Sequence, residues 1–569
     1  MDLNKTARKY ALKNAHDYGS ARAEPILGRL LALTKGADAA QARAAAAEAV
    51  AWANSLDSDA LEREYSAFQD EFAKEQDSKS VEGAKPKLVL EGAERGKVVT
   101  RIAPEPSGYM HVGHVKQALL SAESARLYAG KIYRYFDDTN PEKCRQEYVD
   151  AMKTDHEWLG MKFDKEYYAS DQIEQIYECA RKLIGIGKAY VCTCRREQMQ
   201  QMRYDGICCE HRSQRAETNA EMFANMLDGG FADGEATLRF AGNMKAVNTT
   251  LRDPVIARIV TAPHYRQGTK YRVWPLYDFN TPVLDSLNGV TDIIRSKEYE
   301  LRDELDAMIL TALGMRVPHM HLEARLNIKG NVTQKREIRK LIEEGKISGW
   351  DDPRLMTIMA LRRRGIMPAA IKEFVMRFGF SKTDSEVPLE MLLAENKGII
   401  DGFAKHLFFV PEPVAIVVQG GGGKEARLRL HPAKDMGFRE SKTSGTFYIP
   451  RSDAALIDEG KIVRLKDLSD VKIVSKGDTM IAEQAHGSGA TGKIIQWVDA
   501  EKSLDCSVII PGEILKDNGD FNPDSIRVVH GRVEPYAASL EKGDIVQFER
   551  FGYCILDSKE RMEFIFTSK

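Results

Sequence analysis

The chain has 569 residues, 43% of them hydrophobic and 29% charged, an ordinary globular balance in a length too great for one core, so several domains are expected. The 82 Lys+Arg against 84 Asp+Glu give a net charge of −2, which excludes a sequence-blind basic coat for nucleic acid and leaves room for a local basic face. No apolar run approaches the roughly 20 residues that span a bilayer, and the mixed-charge start MDLNKTARKYALKNA lacks the apolar core of a signal peptide. Four of the eight cysteines crowd between Cys192 and Cys209, which suits a metal site in a reducing compartment better than a disulfide framework. A cytoplasmic protein that binds no membrane is the expectation.

Residues 1–94 read as a helical extension, Ala-rich over 37–53 and closed by a polar, Lys-rich connection over 74–87. Residues 98–102 (VVTRI) form a β-branched run that ends in the turn signals Pro104, Pro106 and Gly108. A helix over 112–129 stops at Gly130, and 132–136 (IYRYF) is again strand-like. Strand, helix, strand with short connections is a βαβ unit, so 95–190 is assigned to the first half of a doubly wound, Rossmann-like α/β sheet. The cysteine-bearing, loop-rich stretch 191–265 reads as an insertion, and strand-like runs over 273–279 and 290–295 place the second half of the sheet in 266–300. Helical periodicity then dominates 301–400. Over 401–569, short β segments such as VAIVV, SVIIP and MEFIF punctuated by Gly and Pro indicate one or two β-barrels, with Gly420 to Gly423 as a hairpin tip. The chain is thus expected to be multidomain α/β.

His111, Gly113 and His114 stand where the first strand hands over to its helix. A helix N-terminus offers free amides and a positive dipole end to phosphates, a glycine lets a nucleotide approach the backbone, and two histidines can donate hydrogen bonds to phosphate oxygens. A bare H-x-G-H is weak evidence; the context RIAPEPSGYMHVGH gives it weight.

That stretch resembles the HIGH signature of class I aminoacyl-tRNA synthetases, in the form of the glutamyl and glutaminyl branch. YFDDTNP at 135–141 and GWDDPR at 349–354 followed by LRRRG agree with it. Together with the β-rich C-terminus they resemble the archaeal and eukaryotic type of glutamyl-tRNA synthetase. The resemblance implies a class I catalytic domain, an inserted acceptor-binding domain, a helical linker domain and a β-barrel anticodon-binding region. It implies formation of glutamyl-adenylate from L-glutamate and ATP with Mg²⁺, then transfer to the 2′-hydroxyl of the terminal adenosine of tRNA(Glu), in a monomer; charging of tRNA(Gln) is left open. A KMSKS-like loop is matched by VTQKR at 332–336, which gives Lys335 and Arg336 to ATP; Gln334 replaces the usual serine and Thr333 the usual leucine. His111, His114 and Lys335 are the expected catalytic residues. For glutamate, Arg101 and Arg295 are the cations a carboxylate side chain requires, Asp137 takes the α-ammonium, and Tyr277 lines the pocket. Glutaminyl enzymes have a small uncharged residue where Arg295 stands, which disfavours the glutaminyl alternative. A nucleotidyltransferase that never meets tRNA is the other alternative, and the large C-terminus counts against it. Glu105 is either a contact to the terminal ribose or a plain turn carboxylate, and Arg362 to Arg364 either a phosphate contact or a solvated face.

Cys192, Cys194, Cys209 and His211 offer three thiolates and an imidazole, a tetrahedral set for structural Zn²⁺, with Cys208 able to stand in for Cys209.

Overall fold

The computed structural model describes residues 3–18, 20–24, 26–27, 30, 39–68, 88–485 and 492–569, so the Lys-rich connection over 74–87 lies outside the described residues. The chain forms two compact units, Met1–Lys87 and Leu88–Lys569. In the first, α1 (Leu3–Tyr18), α2 (Ala39–Asn54) and α3 (Ser58–Ser66) bury a seam of small residues, among them Ala7, Ala11, Ala46 and Ala49. Small side chains at helical spacing let backbones approach closely, which is why an alanine stripe suffices for a core here. His16 stacks on Tyr65 with centroids 3.9 Å apart.

The second unit opens with Leu88 and Leu90, both buried in its main core ahead of residue 95. A parallel sheet pairs β1 (Val99–Ile102) with β2 (Lys131–Phe136) and β2 with β3 (Lys165–Tyr168). The crossover from β1 to β2 is α4 (Val112–Leu127); α5 (Gln146–Trp158) leads to β3. On the other side of β1, Thr291 donates its amide to Val99 O at 2.8 Å, which brings in the parallel pair of β8 (Asp292–Ser296) and β9 (His319–Glu323). From β1 the chain therefore winds first one way and then the other, and a crevice opens at the carboxyl end of β1, the topological switch point of a doubly wound sheet.

Between the halves, α6 (Ile173–Gly185) leads into an antiparallel sheet of β4 (Ala189–Cys192), β5 (Thr237–Phe240), β6 (Val255–Ile259) and β7 (Val273–Pro275), with α7 (Arg196–Asp205) and α8 (Ala216–Asp228) between β4 and β5. Two expectations shift at its end. The run over 273–279 is strand only as far as Pro275, and Tyr277 starts α9 (Tyr277–Leu287). After α10 (Glu300–Leu313) the supposedly helical stretch contains β9, β10 (Leu326–Ile328) and β11 (Ser385–Val387), each too short to carry a visible period of two. Further helices are α11 (Lys335–Glu343), α12 (Ile358–Arg363), α13 (Pro368–Met376) and α14 (Glu390–Ile400).

The C-terminal region holds two seven-stranded sheets. One takes Lys405–Leu407 and Phe409–Pro411 from the start of the region and the strands from Leu504–Pro511 to Glu563–Ser568 from its end; the other runs from Pro413–Gln419 to Val498–Asp499. Gly420 to Gly423 is not a hairpin tip. The strands it joins, Pro413–Gln419 and Glu425–Arg429, belong to different sheets, and a Cβ on Gly421 or Gly422 would meet Val418 O or Ser444 O at 2.9 Å.

One loop of this region, 512–525, reaches back to the α11 segment. Ile514 is 0% exposed among Val332, Ile338, Leu341 and Leu355. Leu515 donates its amide to Gly330 O at 3.1 Å, and Arg354 Nη1 donates to Ser525 Oγ at 2.9 Å. Replacing a fully buried isoleucine by alanine costs about 2–5 kcal/mol. Ile514→Ala should therefore speed amide exchange in α11, measured by hydrogen–deuterium exchange, while β1 amides keep their protection; unchanged α11 protection would mean that the loop does not support it.

Candidate functional site

Helix α4 begins with the four unsatisfied amides common to every helix. His111 is the N-cap: its Nδ1 accepts from Gly113 N–H at 3.1 Å, while His114 Nδ1 accepts from His111 N–H at 3.3 Å. These two bonds form a capping box built from histidines, with the rings 3.9 Å apart. With both Nδ1 atoms accepting, each neutral ring carries its proton on Nε2, so each has a donor left to offer. Burial, helped by Lys335, lowers His111 to about 4 and His114 well below its ordinary value. Gly113 is needed here because a Cβ would lie 2.9 Å from His111 Cε1. The segment is pinned from the far side too, as Val112 N–H donates to Met356 O at 3.1 Å and Ile358 N–H to Met110 O at 3.0 Å. The GWDDPR stretch thus ends against the histidine turn.

Lys335 opens α11 and lies across the turn before the histidines. Its stem packs on Gly108, where a Cβ would sit 2.7 Å from Lys335 Cδ, and Nζ donates to Ser107 Oγ at 3.1 Å. Burial lowers its pKa and the Glu105 carboxylate opposes that. Gln334 is the N-cap of α11 and makes no side-chain cap bond, whereas a serine there could. Arg336 is exposed and does not line the cleft, in contrast to its neighbour.

The cleft holds about 440 Å³ and is lined by Glu105, His114, Asp137, Tyr277 and Lys335 among the expected residues. Glu105 is exposed at its rim and accepts from Ser107 Oγ at 2.9 Å. Asp137 is buried and, among the described residues, forms no ion pair; Asn280 Nδ2 donates to Oδ1 at 2.6 Å, and burial still pushes its carboxyl up to about 7. Such a group has room for a positive charge from outside.

Arg101 and Arg295 are close enough to repel each other, yet neither is free. Arg101 is buried in a two-pronged pair with Asp285, at 3.0 Å from Nε and 2.9 Å from Nη2. Arg295 uses Nη2 on Asp303 and on Asp306, the latter at 2.8 Å, and Nη1 on Tyr277 Oη at 3.3 Å. Arg101 and Arg295 thus stand behind the cleft wall, and the guanidinium groups on its surface are Arg258 and Arg302, which the sequence did not single out. Asp285 was missed as well, although Tyr277, Thr281 and Asp285 at steps of four share one face of α9 and could have been found by that spacing. Asn280 and the acids of α10 had no such signal. Arg363 is half-buried with its fork on Asp557 at 3.0 and 2.7 Å, and Arg364 is buried.

In the inserted domain, Cys192, Cys194, Cys209 and His211 lie together with their ligand atoms within 4.8 Å of one another, while Cys208 is exposed. Zn–S bonds of about 2.3 Å put tetrahedral sulfurs about 3.8 Å apart. The Cys192–Cys209 sulfur distance is 3.8 Å, and Cys194 Sγ is 3.5 Å from His211 Nδ1. His211 Nε2 bonds Thr193 Oγ1 at 2.9 Å, leaving Nδ1 as the ligand atom. Arg239 approaches Cys192 and Cys209 at 3.7 and 3.6 Å, offsetting the surplus negative charge of three thiolates on a divalent ion. The donor set fits Zn²⁺. The other cluster of this kind, Asp401, His406 and His431, does not, because both ring nitrogens of His431 are engaged, Nδ1 by the Ala433 and Lys434 amides and Nε2 by Asp401 O.

Residues 97–397 match the family model described as tRNA synthetases class I (E and Q), catalytic domain, and 404–486 and 494–557 match two models for the anti-codon binding domain of the same class. A glutamate–tRNA ligase of Nitrosopumilus maritimus is 40% identical over all of both chains. Those of Cenarchaeum symbiosum and Pyrococcus furiosus are 39% and 38% identical, over 99% and 98% of both chains. A crystal structure of a glutamate tRNA ligase from Elizabethkingia meningosepticum in complex with its amino acid is 17% identical, with a TM-score of 0.40 over 54% of this chain and 70% of that one.

The histidine cap has a pH signature. Unfolded histidine titrates near about 6.5 and these two titrate lower when folded, so the stability they supply is complete above about pH 6.5 and is lost as pH falls towards about 4. Melting temperature should drop by several degrees over that window. A His111→Gln, His114→Gln double variant should lose that part of the slope; equal slopes would show that the rings are not held neutral.

Proposed function

The chain belongs to the class I tRNA synthetases of the E and Q type, and from that premise we propose how its site works as a glutamate–tRNA ligase, joining glutamate to tRNA. The observation that carries the residue assignment is the cleft at the carboxyl end of β1, lined by the buried carboxylate of Asp137, by His114 and by the long-stemmed Lys335, with His111 capping the helix behind His114.

Glutamate enters with its α-ammonium on Asp137, whose carboxyl at about 7 is lowered once that charge arrives. Its side-chain carboxylate is directed to Arg295 through the Tyr277 wall, with Arg101 behind. Glutamine offers only a neutral amide there, and a buried guanidinium loses a charge-assisted bond with such a partner. ATP arrives with Mg²⁺, which neutralises phosphate charge. The α-carboxylate of glutamate attacks the α-phosphorus, forming glutamyl-adenylate as the bond to pyrophosphate breaks. His111 and His114, each left with Nε2–H as its donor because Nδ1 accepts from a backbone amide, donate to the phosphate oxygens as negative charge builds. Lys335 Nζ, which donates to Ser107 Oγ, exchanges that hydroxyl for pyrophosphate oxygens and moves with them. The 2′-hydroxyl of the terminal adenosine of tRNA(Glu) then attacks the adenylate carbonyl and AMP leaves. Glu105, exposed at the rim of the cleft, accepts a hydrogen bond from that ribose. Zn²⁺ held by Cys192, Cys194, Cys209 and His211 would tie the two loops of the inserted domain together, with no part in the chemistry.

Lys335→Ala should cut tRNA-dependent ATP–pyrophosphate exchange by about a hundredfold or more with little change in the glutamate KM, and Arg295→Ala should do the reverse. Equal exchange rates in the lysine variant would remove Lys335 from the mechanism. Metal analysis of protein purified without chelator should find about one zinc per chain, and Cys192→Ser should release it and loosen proteolytic protection of 191–265; a metal-free protein with that region protected rules the site out.

A further inference from the structure

Arg295 is paired with more negative charge than it needs. Its Nη2 meets Asp306 Oδ2 at 2.8 Å and also meets Asp303 Oδ1, three residues earlier on the same face of α10. The two acids stand in different surroundings. The Asp306 side chain is 1% exposed and that of Arg295 3%, whereas Asp303 is 29% exposed. Asp278 is bound by Arg302 and lies close enough to Asp306 to raise its pKa further. Three carboxylates (Asp278, Asp303, Asp306) therefore surround two guanidinium groups (Arg295, Arg302) before any substrate is present.

A substrate carboxylate would make a fourth. A buried cation that is already over-neutralised cannot take another anion without releasing one. Asp306 cannot be the one released, since it would become an unpaired charge away from water. Asp303 can be, because water already reaches it and a rotated side chain keeps its hydration. Nη1, directed at Tyr277 Oη on the cleft wall, and Nε, without a hydrogen-bond partner among the described residues, show that the guanidinium has donors in reserve for a repositioned ligand.

We propose that Asp303 is an internal stand-in for the substrate's side-chain carboxylate, holding Arg295 in the free enzyme and turning out to solvent when glutamate binds. This rests on the assignment of Arg295 to that carboxylate. The exchange replaces one carboxylate by another on the same cation, so Arg295 is never a bare buried charge. Asp303 is then a positioning residue that sets affinity. The apparent dissociation constant is the intrinsic one divided by the fraction of enzyme in which Asp303 has left, and the same factor applies to every ligand that needs Arg295.

The test is the glutamate KM in tRNA charging at saturating ATP and tRNA, together with the inhibition constant of an unreactive glutamate analogue whose α-carboxylate is reduced to an alcohol. For Asp303→Asn both constants should fall by the same factor, about tenfold if the free enzyme holds Asp303 inward about nine-tenths of the time. Asp303→Glu should restore the wild-type values. A merely structural Asp303 would give a KM that rises or stays within about twofold in Asp303→Asn, and either result overturns the proposal. Arg295→Ala separates the two levels: a steep rise in KM there together with no fall in Asp303→Asn sinks the stand-in alone, while an unaltered KM in Arg295→Ala sinks the pocket assignment and the stand-in with it.

Discussion

A helix cannot begin inside a protein without partners for its first amides, and at α4 the His111 ring takes that of Gly113, Met356 O takes that of Val112, and the His114 ring takes the amide of the cap residue His111 itself. Much of the catalytic half follows from this arrangement. Because each Nδ1 is spent on a backbone amide, each Nε2 is a donor, and because the rings are buried they stay neutral. The cap also explains why the residue between them is glycine, since the His111 ring lies where a Cβ would be. The usual account of such a glycine, room for a nucleotide, is joined here by a requirement internal to the turn.

The same turn is where distant parts of the chain meet. Met110 and Val112 bond to the stretch that ends at Ile358, Lys335 lies over Gly108, and Ile514 from the C-terminal region packs beneath the α11 segment that carries Lys335. The position of Lys335 Nζ therefore depends on three segments more than 150 residues apart in sequence (108, 335 and 514), each held by contacts too short to stretch. Apolar burial supplies the cohesion, and the backbone hydrogen bonds supply the register.

Charge is distributed in the site by burial more than by residue type. Asp137 and Asp285 are both buried aspartates, but Asp285 has Arg101 against it and Asp137 has the neutral donors of Asn280 and Thr139. One is thereby a structural counter-ion and the other a vacancy for a cation. The arginines divide in the same way: Arg101 and Arg295 are consumed by internal acids, while Arg302 and Arg258 reach the surface of the cleft. Residue identity could not have separated these cases, since the partner in each pair comes from another element.

The sequence alone determined what depends on neighbours along the chain. The βαβ start, the helix beginning at the HVGH turn and the β-rich C-terminus are legible because hydrophobic period, glycine and proline act locally. So was the grouping of three cysteines and a histidine, since two ligand pairs on a short loop have few other ways to meet. Tertiary structure alone decided the choice of Cys209 over Cys208, the short strands β9 to β11, the end of β7 at Pro275, and the role of the glycine run over 420–423. It also decided which arginines reach the cleft, because a guanidinium is drawn to whatever acid the fold brings within about 4 Å, and Asp285, Asp303, Asp306 and Asp557 are carried there by other elements or by helix spacing. Periodicity is a property of a segment; a charge and its partner are a property of the packed molecule.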